Sequence, residues 1–432
     1  MSARAAPIWM VDPKRDSEAS MSPTELARFL LESPSSFLSA VDSGAAAEID
    51  LDRVDIAQVW ALVGMASLGR REQSPHAQIL HRGESGASRF AHAIGLDDVV
   101  GGYVSDVSGE AGRTVRLQRV RQRFDEVEPA ASKVSRLVVP DDEDVRRTLY
   151  YVIVELLRNV VQHSGDPLGG VVAAQRMDAA QHYEKPMIQV AVGDTGRGIL
   201  EALRTMHPGL TDPQAALEKA LQPHISGTFE EGQTGAPSGQ NAGLGLFFIA
   251  EMAKRTAGRL LIASRGACLL LDGDPAFGDQ HRLRFVEPVG VGFPGTLVAF
   301  ELPVGGVDDY DGLIQVINAK GRERIPQRAV HRWIRFEDAP PGVFPLLVDF
   351  KAENTAAAAE LAADQLMPRV IKRQPLALDF RNLQVCTQSY LHALLAEVVR
   401  AAWAFRVPIY VVNARPAVRS GLELLEGYAL GG

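Results

Sequence analysis

Glu155, Asn159 and His163 recur every fourth residue within the apolar run Tyr151-Val-Ile-Val-Glu-Leu-Leu-Arg-Asn-Val-Val-Gln-His163. A period of 3.6 stacks such positions on one helical face. The run therefore predicts a helix with one polar stripe on an otherwise core-facing surface. A carboxylate one turn before a carboxamide suits phosphate chemistry. Magnesium takes oxygen donors while keeping several waters, so the Asn159 amide oxygen can serve as a ligand while Glu155 orients a water for attack. Alone, the stripe reads more readily as the polar side of a partly exposed helix.

Two later segments change that balance. Asp194-Thr-Gly196-Arg-Gly198 follows the apolar strand candidate Met187–Val192. A carboxylate at a strand end can accept a hydrogen bond from an adenine amino group, and glycines let backbone approach the ring. The same five residues also fit a simple Asp-initiated turn. Further on, Gly243-Leu244-Gly245-Leu246 leads into Phe247–Lys254, a helix whose first N–H groups can face phosphate oxygens. It is not a dinucleotide fingerprint, because Phe248 stands where the third glycine belongs, and no GxxxxGK[ST] run occurs.

In this order the segments resemble the GHKL superfamily of ATPases, which includes gyrase, the heat-shock chaperone ATPase, histidine kinases and mismatch-repair ATPases. Glu155 and Asn159 match its N box, Asp194, Gly196 and Gly198 its DxGxG box, and Gly243, Gly245 and Leu246 its GxGL box. Gly295 and Thr296 match its closing GT strand. The resemblance implies a Bergerat-type α/β sandwich that binds ATP and Mg2+. In it Asn159 would hold the metal, Glu155 would act as general base, and Asp194 would meet the adenine amino group with Thr296 nearby through water. Gly243, Leu244, Gly245 and Leu246 would set backbone N–H groups on the phosphates, and residues 200–242 would form a lid. Many relatives carry a basic residue after the N box; here Gln162-His163 stands there, which leaves His163 as either a phosphate contact or a solvated histidine.

Around that centre the chain divides into an N-terminal α/β module (1–110), the ATP-binding domain (113–305), a charged linker (306–340) and a C-terminal unit (341–432). In the first, Ser22-Pro23-Thr24-Glu25 predicts a helix start before Leu26–Leu31. Strands are expected at Ala47–Leu51 and Ala77–Leu80, and helices at Ile56–Leu68 and Ala87–Ile94. In the ATP-binding domain a strand is expected at Gly170–Ala174, and Gly295–Pro303 reads as an alternating one. In the C-terminal unit Leu346–Phe350, Leu376–Phe380 and Ile409–Val412 read as strands separated by helices at Ala356–Leu366 and Leu391–Phe405. The whole is an α/β (α+β) chain.

Leu376-Ala-Leu-Asp379-Phe380 and the hydroxyl residues Thr387 and Ser389 resemble the strand-loop-helix signature of STAS-like domains, although the usual Asp-Ser-Ser-Gly run is absent. In one branch of that family a serine there takes phosphate from a GHKL kinase. The plainer reading makes Ser389 a helix cap. The first module shows a fainter version around Asp50, without a hydroxyl at the turn. No histidine lies between Glu110 and Asp141, which argues against a complete sensor histidine kinase.

The expected function is Mg-ATP-dependent phosphotransfer to a STAS-type or other protein partner; the alternative is an ATP-gated switch with slow hydrolysis. Protein partners would dock on the flanking modules, with a homodimer possible in this family. At 432 residues, 46% hydrophobic, with a net charge of -8, the chain is expected to be globular and cytoplasmic, without nucleic-acid or membrane partners. The basic stretch Arg116–Arg123 reads as a solvated face. Cys268 and Cys386 read as small buried hydrophobes.

Overall fold

The computed structural model describes residues 27–41, 47–70, 77–102, 108–179, 184–225, 243–273, 282–287, 290, 292–323, 332–348 and 354–430. The N-terminal unit runs β1 (Ala27–Phe29), α1 (Ser35–Val41), β2 (Ala47–Asp50), β3 (Val54–Ala57), α2 (Val59–Leu68), β4 (Ala77–Leu80), α3 (Gly86–Ala93) and α4 (Leu96–Val100). Its strands form two separate parallel pairs, β1 with β3 and β2 with β4. Two expectations fail here. Residues 27–29 are strand where a helix was expected, and Ile56 and Ala57 belong to β3 rather than to the following helix. In both places pairing between β1 and β3 outweighs local helix propensity. The expected helix start at residues 22–25 lies outside the described residues.

The central unit runs β5 (Gly109–Glu110), β6 (Thr114–Val120), α5 (Phe124–Val138), α6 (Glu143–Asn159), β7 (Gly170–Met177), β8 (Met187–Asp194), α7 (Gly198–Arg204), α8 (Pro213–Ala220), α9 (Gly245–Arg255), β9 (Arg259–Ser264), β10 (Ala267–Asp272), β11 (Arg282–Phe285) and β12 (Thr296–Pro303). Its strands make one antiparallel sheet in the order β11-β10-β9-β12-β8-β7-β6-β5.

Both faces of that sheet are covered. On one, Val172, Ala174, Val190, Val192, Ile262 and Phe300 pack against α5, α6 and α9. On the other, Val171, Ala173, Ala191, Leu261, Ala263 and Ala299 pack against α1 and α2. This explains why β12, expected to alternate, is buried at Leu297–Pro303, and why β8 is buried throughout. It also explains α2, whose ten residues are all buried and which has no polar face. Arg119 departs from the solvated face expected for its stretch: it is buried on β6, whereas Arg121 and Arg123 are exposed.

The remainder runs α10 (Tyr310–Arg322), β13 (Ile334–Arg335), β14 (Leu346–Leu347), α11 (Thr355–Leu361), α12 (Met367–Ile371), β15 (Leu376–Asp379), α13 (Gln388–Phe405), β16 (Ile409–Val412) and α14 (Pro416–Leu430). The strands form a parallel sheet ordered β13-β16-β15-β14. The stretch expected to be a linker holds α10, which buries Tyr310, Ile314 and Ile317 in the central core. The same helix meets α14 and α13: Asn318 donates to Ser420 Oγ (2.8 Å) of the first and accepts from Gln388 Nε2 (3.0 Å) of the second. No helix among the described residues is long and apolar enough to cross a membrane.

Candidate functional site

α6 opens with Asp142, whose carboxylate accepts the Val145 N–H at 3.0 Å, and ends at Asn159. Residues 160–164 continue as a π-helical turn, a local widening that often marks functional positions. The four-residue stripe is thus α-helical only as far as Asn159. Glu155, Asn159 and His163 nevertheless line one cavity, together with Asp194, Gly198, Gly243, Leu244, Gly245, Leu246 and Thr296. The cavity they line has a volume of about 120 Å³, smaller than the several hundred Å³ usual for a small-molecule site. Gly196 is the one expected residue that faces elsewhere, into an adjoining hollow with Ser164, Asp166 and Arg197.

Asp194 ends β8, in register with Thr296 of β12. Its Oδ1 accepts the Gly196 N–H at 2.8 Å. Burial pushes its pKa up to about 7; the neighbouring Asp166 adds to the rise, while the Gly196 and Thr296 N–H groups and Arg70 oppose it. A carboxyl group held this far from water gains from any ligand N–H brought to it. At the opposite end of the cleft α9 begins at Gly245. A Cβ there would run into Glu155 Oε2, so glycine lets the helix start lie directly against the carboxylate. Gly198 has φ of +79°, a left-handed conformation that only glycine adopts cheaply.

His163 is half-buried. Burial, then the nearby Arg197 charge, lowers its pKa to about 4. Its ring is neutral at pH 7.

Arg158 and Arg70 were not assigned from the sequence, and Ser389 and Thr387 were singled out there only for the C-terminal unit, not for this cleft. Arg158, with no exposed surface, donates from Nη1 to Glu155 Oε1 and to Thr387 Oγ1, both at 3.0 Å. Ser389 of α13 lines the cavity and donates to Glu155 Oε2 at 3.3 Å. Thr387, not Ser389, is the helix cap, accepting from Tyr390 N–H at 3.2 Å. On the far side Arg70, just beyond α2, donates to Asp166 at 2.5 Å and to Thr195 Oγ1 at 3.0 Å. Arginine inside an apolar helix was a visible signal for Arg158. Arg70 and Asp166 lie 96 positions apart and carry no local one.

Cys268 and Cys386 are buried free thiols. No group of three or more His, Cys, Asp or Glu residues is placed to hold a metal among the described residues; a magnesium held by one amide, substrate phosphates and water needs no such cluster. The chain matches no protein-family model, no curated protein and no solved structure.

Proposed function

We propose that this cleft binds Mg-ATP and that the chain is a GHKL-type phosphotransfer enzyme carrying a STAS-like C-terminal unit. The observation that carries this reading is the convergence on one cavity of Glu155, Asn159, Asp194, Gly243–Leu246 and Thr296, brought from four separate stretches of chain. The donor set fits the ligand. Asp194 offers a buried acceptor for an adenine N–H, and the start of α9 offers free N–H groups to phosphate oxygens. Asn159 would offer a neutral oxygen to magnesium, which would offset the charge of the phosphates. Glu155, beside the Arg158 guanidinium, is placed to take a proton.

Calorimetric titration with ATP, with and without magnesium, tests the reading. Magnesium-dependent binding that is lost in Asn159→Ala is the expected outcome; absence of binding at millimolar ATP sinks it.

A second reading, an ATP-gated switch, draws on the contacts of the C-terminal unit. Because Ser389 and Thr387 meet the Glu155–Arg158 pair, any rearrangement around a bound γ-phosphate bears directly on docking of that unit. Protein that releases inorganic phosphate from γ-labelled ATP without becoming labelled, or labelling a partner, favours the switch.

A further inference from the structure

We infer that Arg158 is a positioning residue for the base Glu155, and that Thr387 of the C-terminal unit positions Arg158 in turn, so that docking of that unit sets the rate of the chemistry and not the hold on nucleotide. This rests on the reading of the cleft given above and adds what controls it.

The contacts run in series from Thr387 through Arg158 to Glu155. Arg158 follows Glu155 by three positions on α6, so the two side chains share a face. Its Nη1 donates at 3.0 Å to Glu155 Oε1 and at 3.0 Å to Thr387 Oγ1. All three residues are buried, and of the three only Glu155 lines the cavity. Any effect of the other two on a bound ligand must therefore pass through Glu155. With Oε1 held by the guanidinium, Oε2 is turned to the start of α9 at Gly245. A glutamate left to itself on a helix samples several rotamers, whereas a base has to stay within about 0.5 Å of its working place.

Thr387 is a firm anchor for this relay. It is the N-cap of α13, its hydroxyl oxygen takes the Tyr390 N–H at 3.2 Å, and its branched side chain is stiff about χ1. On the same loop the Gln384 carbonyl accepts from Arg147 at 2.7 Å, and Arg147 also reaches Asp311 of α10 at 3.1 Å. The strip from 384 to 387 is thus tied to α6 at two places, by Arg147 and by Arg158. Arginine suits the second tie because its planar fork meets a carboxylate and a hydroxyl at once, while a lysine ammonium is a point charge on a flexible stem.

The test follows ADP formation by the full chain alongside calorimetry with Mg-ATP. Arg158→Lys keeps a charge beside Glu155 but loses the fork; it should lower kcat by about 10- to 100-fold, approaching the cost of about 1 Å of misplacement, with the Kd for Mg-ATP changed less than about twofold. Thr387→Val should lower kcat by about 3- to 10-fold, the scale of one buried hydrogen bond, and Thr387→Ser should restore it. The deciding measurement is made in the Glu155→Gln background, where the base is gone and neither change should slow the residual rate further. The inference is overturned if Kd and not kcat carries the effect, if Thr387→Ser is as slow as Thr387→Val, or if the losses persist in Glu155→Gln protein, as a merely structural role would give. Absence of Mg-ATP binding brings down the reading of the cleft and this inference together; binding with kcat unchanged in both variants, or binding without turnover, brings down this inference alone.

Discussion

Two buried arginine–carboxylate pairs flank the cleft and differ in what surrounds the carboxylate. Asp166 receives Arg70, both the N–H and the hydroxyl of Thr195, and the N–H of Leu168. Burial works against its charge, but the Arg70 guanidinium and those donors outweigh it and hold the carboxyl below its usual range. A carboxylate so fully engaged is a brace: it ties the N-terminal unit to the turn beside Asp194. Glu155 instead faces the cavity, with Arg158 on one oxygen and the Ser389 hydroxyl on the other. The two flanking units thus reach opposite ends of one site. The N-terminal unit braces the Asp194 end through Arg70, and the C-terminal unit brings the Ser389 hydroxyl to Glu155 at the other.

The sharpest break between the pairs is kinetic. Removing the base should lower turnover or phosphotransfer by about 100- to 10,000-fold. Glu155→Gln is the cleaner variant, because Glu155→Ala also leaves the Arg158 cation buried without its carboxylate; both should keep ATP binding, and unchanged turnover would refute the role. For the brace the effect should be on stability. Arg70→Ala leaves a buried carboxylate unpaired and should cost about 3–5 kcal/mol, read as a fall in denaturation midpoint, whereas an unchanged midpoint would show that Asp166 does not need its partner. In the wild type the Asp166 contribution is present above the ordinary carboxylate range and is lost as pH falls through its depressed pKa.

Asp194 behaves in the opposite sense. Its raised pKa of about 7 means that its contribution to stability is greatest in acid and is lost as pH rises from about 4 towards 7. If the ionised form receives the adenine amino group, ATP affinity should strengthen about tenfold between pH 6 and 8 with uptake of ligand coupled to proton release. Calorimetry in buffers of different ionisation heat checks this, and a pH-independent affinity contradicts it. The smallest effect is expected outside both pairs. Lys320 lies 3.0 Å from Glu251, which also holds Lys254 and Arg255, so Lys320→Ala should cost no more than about 1 kcal/mol.

The candidate site was legible where chemistry and spacing lie together in the chain. Glu155 and Asn159 share a helix, Asp194 ends a strand, and Gly243–Leu246 precede a helix, so each could be placed from local sequence. What could not be read were contacts that exist only after the units close on one another: Arg70 with Asp166, and Ser389 with Glu155. The same limit governs the fold. Strands such as β15 and β16 were visible as apolar runs, whereas β3 was mistaken for the start of a helix because its pairing with β1 is not encoded within either segment. The alternation expected for β12 gave way to burial on both faces because the cover on its second face comes from α1 and α2, more than 200 positions earlier. α10 was missed through its charged ends, although Tyr310, Ile314 and Ile317 are spaced for a single buried stripe.

The fully buried α2 also bears on how the chain is made. Its first N–H groups look for Gln189, with Trp60 N donating to that side chain across 129 positions at 2.9 Å, and its surface looks for β7 and β8. At ordinary synthesis rates of about 5–20 residues per second, roughly 6–26 seconds separate the addition of Trp60 from that of Gln189, 129 positions later. During that interval the helix has no water-compatible side to show. The N-terminal unit precedes the strands that bury this helix, so products truncated before β7 and β8 should aggregate.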